Sequence, residues 1–261
     1  MLSWRIPAPP LSEYVRVLWH ADGWMPSNGH ERHMPDGTAG VIIWLTTSVA
    51  GDSDRLGILT GPRSTASLLT GARPQTIIGA QFTTAGATPF VRMPVHELSN
   101  QVATLRDVGF ANAPLLRERL LAAGSADERL RLLESELTEI ALRQAGPDAA
   151  IAWAVRQIER RPNRRIGDVA AQIGRSSRWF IDRFASDVGF TPKVFARVHR
   201  FHLALRRMHG DADCDLADVA AAAGYFDQAH FGHDFRTIAG ISPTDYLAGR
   251  TEHANHVAIP R

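Results

Sequence analysis

The residues best suited to chemistry in this chain are the basic side chains between Arg156 and Arg207. Thirteen arginine or lysine residues lie there beside only four acidic ones. Guanidinium groups bind phosphate oxygens and guanine edges through paired hydrogen bonds. Because a local field attracts phosphate, the stretch favours a nucleic-acid surface even though the whole chain has a formal charge of only +2. The next stretch, Met208 to Arg261, has three basic and eight acidic residues.

Several classes of chemistry are excluded by what the sequence lacks. A single cysteine, Cys214, rules out a disulfide framework or a cysteine-rich metal site within one chain. The sequence has no phosphate-binding loop, nucleophile elbow or dinucleotide fingerprint, so we expect no catalytic residues, no cofactor and no enzyme activity. The first eleven residues do not read as a signal peptide, and the apolar run Val41–Leu45 is too short to span a bilayer. These features predict a cytoplasmic protein without a membrane partner.

Two histidines, His30 and His33, flank Glu31, and His96 follows later, which suggests a metal site as one hypothesis. Histidines three residues apart can chelate an ion. The run lies beside the turn-forming Pro35-Asp-Gly, however, and we interpret it as a polar loop. Its spacing also differs from the closer His-x-His pair of metal-binding β-barrels. The sequence therefore predicts no metal site.

The first third of the chain contains short segments rich in β-branched and large apolar residues, which predict β-strands. Turn-forming residues separate most of them. Several short strands at this spacing are typical of a small barrel or sandwich. The predicted strands are Tyr14–Trp19, Gly40–Thr46, Arg55–Leu59, Thr65–Leu69 and Thr76–Phe82.

A helical pattern begins at about Pro94, with apolar residues at steps of three and four over Pro114–Ala123 and Ala126–Gln144. The apolar stripe of the second segment either packs on the β-domain or pairs with a second copy in a homodimer. Gly146 and Pro147 mark the best domain boundary, because glycine ends a helix and proline starts the next. We predict only helices after this boundary.

Together these patterns predict an α+β protein in four parts. A small β-barrel domain spans 1–112, and a helical segment over 113–145 serves as a linker or a dimerisation element. An all-α domain spans 146–250 and a flexible tail spans 251–261.

Two segments of the all-α domain repeat the same order of residues. Each begins with Asp-Val-Ala-Ala, at Asp168 and Asp218, reaches a glycine, continues through spaced phenylalanines, and ends in Gly-x-Ser/Thr-Pro. The turn after the glycine is one residue longer in the second copy. Alanines allow two helices to approach closely, and glycine provides the positive φ of a sharp turn, so each copy predicts a helix-turn-helix unit. The predicted helix N-caps are Ser177, Thr191, Asp227 and Ser242.

The stretch from Gly146 to Leu247 resembles the AraC/XylS family of transcription regulators, most specifically over Asp218–Tyr246. That portion carries Gly-Tyr-Phe-Asp-Gln-Ala-His-Phe followed by Gly-Ile-Ser-Pro-Thr-Asp-Tyr. The resemblance implies two helix-turn-helix units, joined by a long helix from Pro192 to about Met208, that read successive major grooves of double-stranded DNA. It also implies a bacterial transcription activator or repressor with RNA polymerase as a partner.

The second helix of each unit is expected to lie in the major groove. Arg183 is a candidate for guanine, Asp182 for cytosine or for orienting Arg183, and Gln228 for adenine. Trp179 is a candidate for a sugar or a thymine methyl group, whereas Ile181 is assigned to the core together with Phe180 and Phe184. The predicted DNA contacts are Arg165, Arg175, Ser177, Arg178, Trp179, Asp182, Arg183, Gln228, Ala229, His230, Gly232 and His233.

The more basic first unit is predicted to supply most of the affinity for DNA. A further set of arginines either contacts phosphate or provides plain surface charge. This set is Arg164, Arg165, Arg175, Arg197, Arg200 and Arg206.

The N-terminal half resembles the cupin-like sensor domains of the same family, more loosely than the C-terminal half does. The stretches that carry this resemblance are Gly61-Pro62, Thr76–Gly86, Pro94–Leu98 and Leu105–Gly109. The resemblance implies ligand sensing or dimerisation. Candidate lining residues for a small-molecule effector are Trp19, Trp24, Trp44 and Phe82, with ordinary core packing as the alternative.

Two alternative functions stay open at this point. One is a cupin-type metal-dependent enzyme with an appended DNA-binding module. The other is a regulator without a ligand that uses its β-domain for protein contacts. A DNA-repair methyl acceptor is set aside, because the single Cys214 lies in an acidic loop between the two units.

Overall fold

A computed structural model describes residues 1–26, 29–46, 57–71, 73–110, 112–211 and 213–259. Antiparallel sheets formed almost entirely by the N-terminal part precede a helical C-terminal region, which confirms the predicted α+β class. The strands are β1 (Leu2–Arg5), β2 (Val15–Trp24), β3 (His30–His33), β4 (Gly40–Trp44), β5 (Gly57–Thr60), β6 (Ser67–Thr70), β7 (Gln75–Phe82), β8 (Val102–Thr104) and β9 (His256–Ala258).

The strands form a six-stranded sheet in the order β1-β2-β7-β4-β5-β8 and a three-stranded sheet in the order β6-β3-β9. All pairings between neighbouring strands are antiparallel. The predicted strands correspond to β2, β4, β5, β6 and β7, although the start predicted for β5, at Arg55, lies outside the described residues.

Two helices, α1 (Ala113–Ala122) and α2 (Ala126–Arg143), cover one face of the six-stranded sheet. The apolar stripe of α2, with Leu130, Leu133 and Leu137 buried, packs in the same core as Leu18 and Ile78 of the sheet. Of the two alternatives for this stripe, the structure therefore shows packing on the β-domain. The stripe is not left free to pair with a second copy.

The C-terminal region consists of helices with short connections. They are α3 (Ala149–Arg160), α4 (Ile166–Ile173), α5 (Ser177–Val188), α6 (Pro192–Gly210), α7 (Leu216–Ala223), α8 (Gln228–Ala239) and α9 (Pro243–Gly249). The long helix α6 has 19 residues, which gives it a length of about 28 Å at about 1.5 Å per residue.

The helices bury two separate apolar cores, one at each end of α6. The first holds Phe180, Phe184 and Phe195, and the second holds Phe231 and Phe235. Each core also has one buried side chain from the N-terminal half of the chain, and the partly buried Ala66 packs against the second. The buried side chains are Ala85 in the first core and Met34 in the second.

Three sequence expectations about strands were wrong. The stretch expected to be helical from about Pro94 contains strand β8, which pairs with β5. The segment His30–His33, interpreted as a loop, is strand β3, because it pairs on both sides with β6 and β9. The segment expected to be a flexible tail contains β9, whose Val257 is buried in the second helical core. A three-residue strand has too little periodicity to be seen in sequence, and here its partner is distant in the chain.

Candidate nucleic-acid interface

The two helix-turn-helix turns are built as the repeat predicted. Gly174 and Gly224 end α4 and α7 in the left-handed conformation, with φ of 70° and 86°. The side chain of Asp227 accepts a hydrogen bond from the backbone N–H of His230 at 2.7 Å, so it is the N-cap of α8 as predicted. In the first unit the N-cap is Ser176 rather than the predicted Ser177.

The reason for that correction is the backbone of Ser176, which is extended, with φ −61° and ψ 147°. Its hydroxyl oxygen accepts from the backbone N–H of Trp179 at 3.2 Å. Ser177 is therefore the first helical residue of α5, and its side chain is exposed on the first turn. The predicted caps Thr191 and Ser242 are confirmed, since each hydroxyl accepts from a backbone N–H of the following helix.

Helix α5 has one buried and one exposed face. Phe180 and Phe184 are fully buried as expected, whereas Arg178 and Asp182 are exposed on the opposite side. Ile181 is 42% exposed, so its assignment to the core was wrong. The two phenylalanines four residues apart already define the core face, and Ile181 falls outside that stripe.

The charged residues of α5 have different partners. Arg178 Nε lies 3.7 Å from Asp182 Oδ2, and both side chains are exposed to water. Such a pair contributes little in solvent and can exchange partners readily. Arg183 Nε lies 3.3 Å from Asp187 Oδ2, and the Asp187 side chain is only 2% exposed. Arg183 therefore forms an ion pair with a buried carboxylate at the edge of the exposed face.

Arg175 and Trp179 form a single surface at the amino end of α5. The guanidinium of Arg175 lies over the Trp179 ring, 5.5 Å from its centroid. The indole is half-buried, so it supports the arginine while the charge stays in water. This arrangement holds a positive charge next to the turn that precedes α5.

The residues of α8 predicted to contact DNA include no arginine or lysine, and the arginine of this helix, Arg236, is exposed near its carboxyl end. Gln228, Ala229, His230 and His233 are exposed, and Gly232 is half-buried. Of the two acidic residues in and beside this helix, Asp227 is its N-cap, and Asp234 is directed inward: it is 5% exposed and forms an ion pair with Arg197 of α6. The Asp234 side chain therefore joins α8 to α6 rather than repelling DNA.

Three of the arginines considered as phosphate contacts have internal partners. Arg197 pairs with Asp234, the guanidinium of Arg200 lies 5.6 Å from the centre of the Tyr225 ring, and Arg164 donates to Gln157 Oε1 at 3.2 Å. The other three, Arg165, Arg175 and Arg206, are exposed.

The two units touch beside an open hollow of about 590 Å³. Its lining includes Arg161 and Arg164 from the loop that precedes α4. From the same loop, Asn163 packs against the turn of the second unit so closely that a Cβ on Gly224 would lie 2.0 Å from its amide nitrogen. Two arginines thus lie in the open space next to the contact between the units.

The predicted effector residues separate onto two faces of the six-stranded sheet. Trp19, Trp24 and Trp44 pair across β7 with Gly79, Gln75 and Ile77, alternate residues that share one face. Phe82 has the opposite parity, is fully buried in the core, and stacks on Phe90 with centroids 4.8 Å apart. Its placement with the tryptophans was therefore wrong.

The tryptophan face is apolar and partly open. Trp19 lies over Gly79, where a Cβ would come within 2.5 Å of the indole ring. In β1, Trp4 pairs with Trp19 and is 66% exposed. This face is distinct from the one that packs on α1 and α2.

Of the two histidines of β3, His33 belongs to the contact with the C-terminal strand, whereas His30 is exposed and pairs with Thr70 of β6. His256 Nδ1 lies 3.1 Å from Oε2 of the buried Glu31, and the His33 ring centre lies 5.0 Å from that of His256. The exposed His96 lies elsewhere, in a short 3₁₀ helix over Val95–Leu98. Within the described part of the chain, no three His, Cys, Asp or Glu side chains are grouped to hold a metal ion.

Comparison with protein families matches residues 169–249 to a helix-turn-helix domain. This range contains the end of α4 and all of α5 to α9, the elements whose repeat and turn geometry are described above. The C-terminal region is an AraC-type helix-turn-helix domain. Domains of this type are the DNA-binding parts of transcription regulators. Residues 5–104 match a domain of unknown function, DUF6597.

Solved structures similar to the chain include several of ToxT from Vibrio cholerae. One at 1.65 Å resolution has 10% sequence identity and a TM-score of 0.46, and covers 95% of this chain and 98% of that chain. A second, bound to (E)-4-(8-methylnaphthalen-1-yl)but-3-enoic acid, has 10% identity and a TM-score of 0.45, with 95% and 97% covered. A third, bound to an unsaturated fatty acid, has 10% identity and a TM-score of 0.40, with 95% and 94% covered. Comparison with curated protein sequences gives no match.

In the ranges that the structure describes, no helix combines the length and apolar character needed to cross a lipid bilayer.

Proposed function

We propose that the chain is a sequence-specific transcription regulator whose helices α5 and α8 enter successive major grooves on one side of double-stranded DNA. The observation that carries this proposal is the matching construction of the two helices. Each buries a pair of phenylalanines, Phe180 with Phe184 and Phe231 with Phe235, and exposes its opposite side. The joining helix α6, about 28 Å long, is of the scale of the roughly 34 Å between successive major grooves.

Base recognition by the first unit is assigned to the exposed residues Arg178 and Asp182, with Trp179 beside them. Their mutual ion pair is solvated, so exchanging it for hydrogen bonds to guanine and cytosine costs little. Arg183 is a weaker candidate than the sequence suggested. Binding to a base would remove its positive charge from the buried Asp187 carboxylate, which is energetically unfavourable. Ser177 on the first turn is placed to donate to phosphate or a base edge.

Phosphate binding is assigned to the exposed arginines at the amino ends of the helices. Arg165 precedes α4 and Arg175 precedes α5. Helix amino termini favour anions, so each guanidinium adds to an existing partial positive charge. Arg161 lines the open hollow next to the loop before α4, and we assign it as a further charge for the DNA backbone.

The second unit reads DNA with uncharged groups. Gln228 is suited to adenine, Ala229 and Gly232 allow close approach, and His230 and His233 supply further polar groups. Because this unit contributes less electrostatic attraction, we expect it to add sequence preference while the first unit supplies most of the affinity.

Control by an effector is the second part of the proposal. We assign an apolar small molecule to the sheet face that carries Trp19, Trp24 and Trp44. The β-domain contacts the carboxyl ends of both recognition helices: Ser99 donates to the carbonyl of Gly189 after α5, and Arg32 Nη1 donates to the carbonyl of Ala239 in α8 at 3.2 Å. These two contacts join the β-domain to both recognition helices, and we propose that ligand binding acts on α5 and α8 through them.

The test of DNA recognition is selection of binders from a random double-stranded library, followed by sequencing. We expect a motif with two halves, Arg178→Ala relaxing the preference in one half and Gln228→Ala in the other. Arg143→Ala, which removes an exposed arginine of α2 that pairs with Glu139, is the matched control and leaves both halves intact. Failure to enrich any motif, or relaxation of the same half by both variants, contradicts the proposal.

The effector assignment is tested by thermal unfolding against a panel of apolar metabolites. A true ligand raises the Tm of the wild type by mass action. It has no effect on a Trp44→Ala variant, whereas Trp153→Ala in α3 keeps the response. A panel without hits favours the alternative in which the β-domain serves protein contacts alone.

A further inference from the structure

One phenylalanine in this chain differs from all the others. The sequence has 11 phenylalanines, and ten of them are at most 6% exposed. Phe226 is 93% exposed. Leaving an aromatic ring of this size in water forgoes the favourable free energy of burying its apolar surface. The simplest explanation is that the Phe226 ring is buried against another molecule when the protein functions.

The position of Phe226 follows from the extra residue in the second turn. The first unit passes from Gly174 through Arg175 to its N-cap, whereas the second passes from Gly224 through two residues to Asp227. The additional Tyr225 is buried, with its ring centre 5.2 Å from that of Phe231. Phe226 is thereby turned outward, directly before the N-cap of α8.

The equivalent position in the first unit is Arg175, which also directly precedes the N-cap of its recognition helix. Helix-turn-helix proteins bring the amino end of the recognition helix to the base edges. The two units therefore present different chemistry at the same point: a cation in the first and an apolar ring in the second. Gln228 and Ala229, which follow the N-cap Asp227, are exposed and add no formal charge.

We propose that Phe226 is a specificity-determining residue that packs against the 5-methyl group of a thymine in the half-site read by α8. This inference rests on the proposed DNA-binding function. Phenylalanine is among the side chains that make apolar contact with thymine in the major groove, where only thymine presents a methyl group. An acidic N-cap next to the ring does not oppose this contact, because the Asp227 carboxylate is engaged by the His230 N–H.

The experiment uses the full chain and the DNA motif obtained by selection, with Kd measured by fluorescence anisotropy. Each thymine of the motif is replaced in turn by deoxyuridine, which removes the methyl group alone. We expect one such replacement, in the half-site relaxed by Gln228→Ala, to weaken wild-type binding about fourfold, the value of one buried methyl group. We expect the Phe226→Ala variant to bind the unmodified motif at least as weakly as the wild type binds the deoxyuridine-containing motif. Replacing that thymine by deoxyuridine should not weaken binding by the variant any further.

Two controls separate this contact from other causes. Leu142→Ala truncates another exposed apolar side chain, 69% exposed at the end of α2, and should keep both the affinity and the thymine effect. Phe226→Ala should leave the dependence of Kd on salt unchanged, whereas Arg175→Ala lowers the slope by about one.

The inference is overturned if Phe226→Ala binds every duplex as the wild type does, in which case the ring serves a partner other than DNA. It is also overturned if the thymine effect persists undiminished in the variant. If the wild-type protein binds all DNA sequences with equal affinity, the result contradicts the proposed sequence-specific DNA binding itself, and not only the role of Phe226.

Discussion

The guanidinium Nε of Arg183 lies 3.3 Å from Oδ2 of Asp187, one turn further along the first recognition helix. Asp187 is 2% exposed, and burial raises the pKa of its carboxyl, although Arg183 and the backbone N–H of Asp148 act against that rise. The pair anchors the carboxyl end of α5 beside the β-domain, where Thr88 also contacts the Asp187 carbonyl. Arg183, the candidate for guanine recognition from the sequence, therefore has a structural role in holding the end of α5.

Arg183→Ala is expected to lower the free energy of unfolding by about 1–3 kcal/mol, because it removes the cation beside the buried Asp187 carboxylate, which keeps the backbone N–H of Asp148. Urea denaturation measures the change. Arg178→Ala is the matched control on the same helix, and it should change stability by less than about 0.5 kcal/mol, because its ion pair is exposed. Unchanged stability of Arg183→Ala together with a large loss of DNA affinity would restore the base contact to Arg183.

Alanine substitutions of Arg165 and Arg197 are expected to have different effects, although both arginines were candidates for phosphate contacts. Arg165→Ala removes an exposed charge, so it should weaken binding to all DNA sequences and reduce the salt slope by about one. Arg197→Ala leaves the buried Asp234 without its cation and should instead destabilise the fold. Titrations at several salt concentrations and denaturation curves separate the two; identical behaviour of the variants contradicts the account.

Val257 in β9 is expected to stabilise the second helical core from outside the helical region. It is 3% exposed and packs with the residues around Phe235. Val257→Ala should reduce the free energy of unfolding by about 1.5–3 kcal/mol. Leu68→Ala on β6 of the same small sheet is the control, since Leu68 is 58% exposed. Equal stability of the two variants would show that β9 does not contribute to the core.

Much of the helical region follows from the sequence because its signals are local. Glycine at the turns, side chains that cap the next backbone N–H, and phenylalanines one turn apart lie within a few residues of each other. Because the same pattern occurs twice, both turns could be predicted from it, although the N-cap of α5 is Ser176 and not the predicted Ser177. The misplaced Ile181 shows the limit, since an apolar residue beside a core stripe looks like part of it.

The β-region was less predictable because its pairing is long-range. Strands β1, β3, β8 and β9 have three or four residues each and gain their order from a partner strand. The sheet also separates neighbouring residues onto opposite faces, and this separation placed Phe82 in the core while the tryptophans share the other side. The role of α2 depended in the same way on a sheet assembled from distant segments.

Acid is expected to destabilise the fold through two histidines at contacts between the halves of the chain. Burial, the main cause in both, lowers the pKa of His33 to about 4 and that of His202 to about 4. A group with a depressed folded-state pKa binds fewer protons when folded, so its stabilising contribution, complete above pH about 6.5, is lost as the pH falls towards about 4.

Denaturation at a series of pH values measures this effect. The slope of stability against pH should be shallower in His33→Asn and in His202→Asn, by up to about 1.4 kcal/mol per pH unit for each histidine. His96→Asn, at an exposed site on the β-domain, is the control. Slopes that match the wild type in both variants would mean that the two rings titrate normally.

The most direct measurement of the central claim is the effect of spacing between the two halves of the selected DNA motif. Helices α5 and α8 on a helical connector require two grooves on the same side of the duplex, about 10–10.5 base pairs apart. Inserting about five base pairs between the half-sites turns one groove to the opposite side. We predict that affinity then falls to that of a single half-site and that an insertion of about ten does not restore it. Unchanged affinity after the five-base-pair insertion would contradict the account.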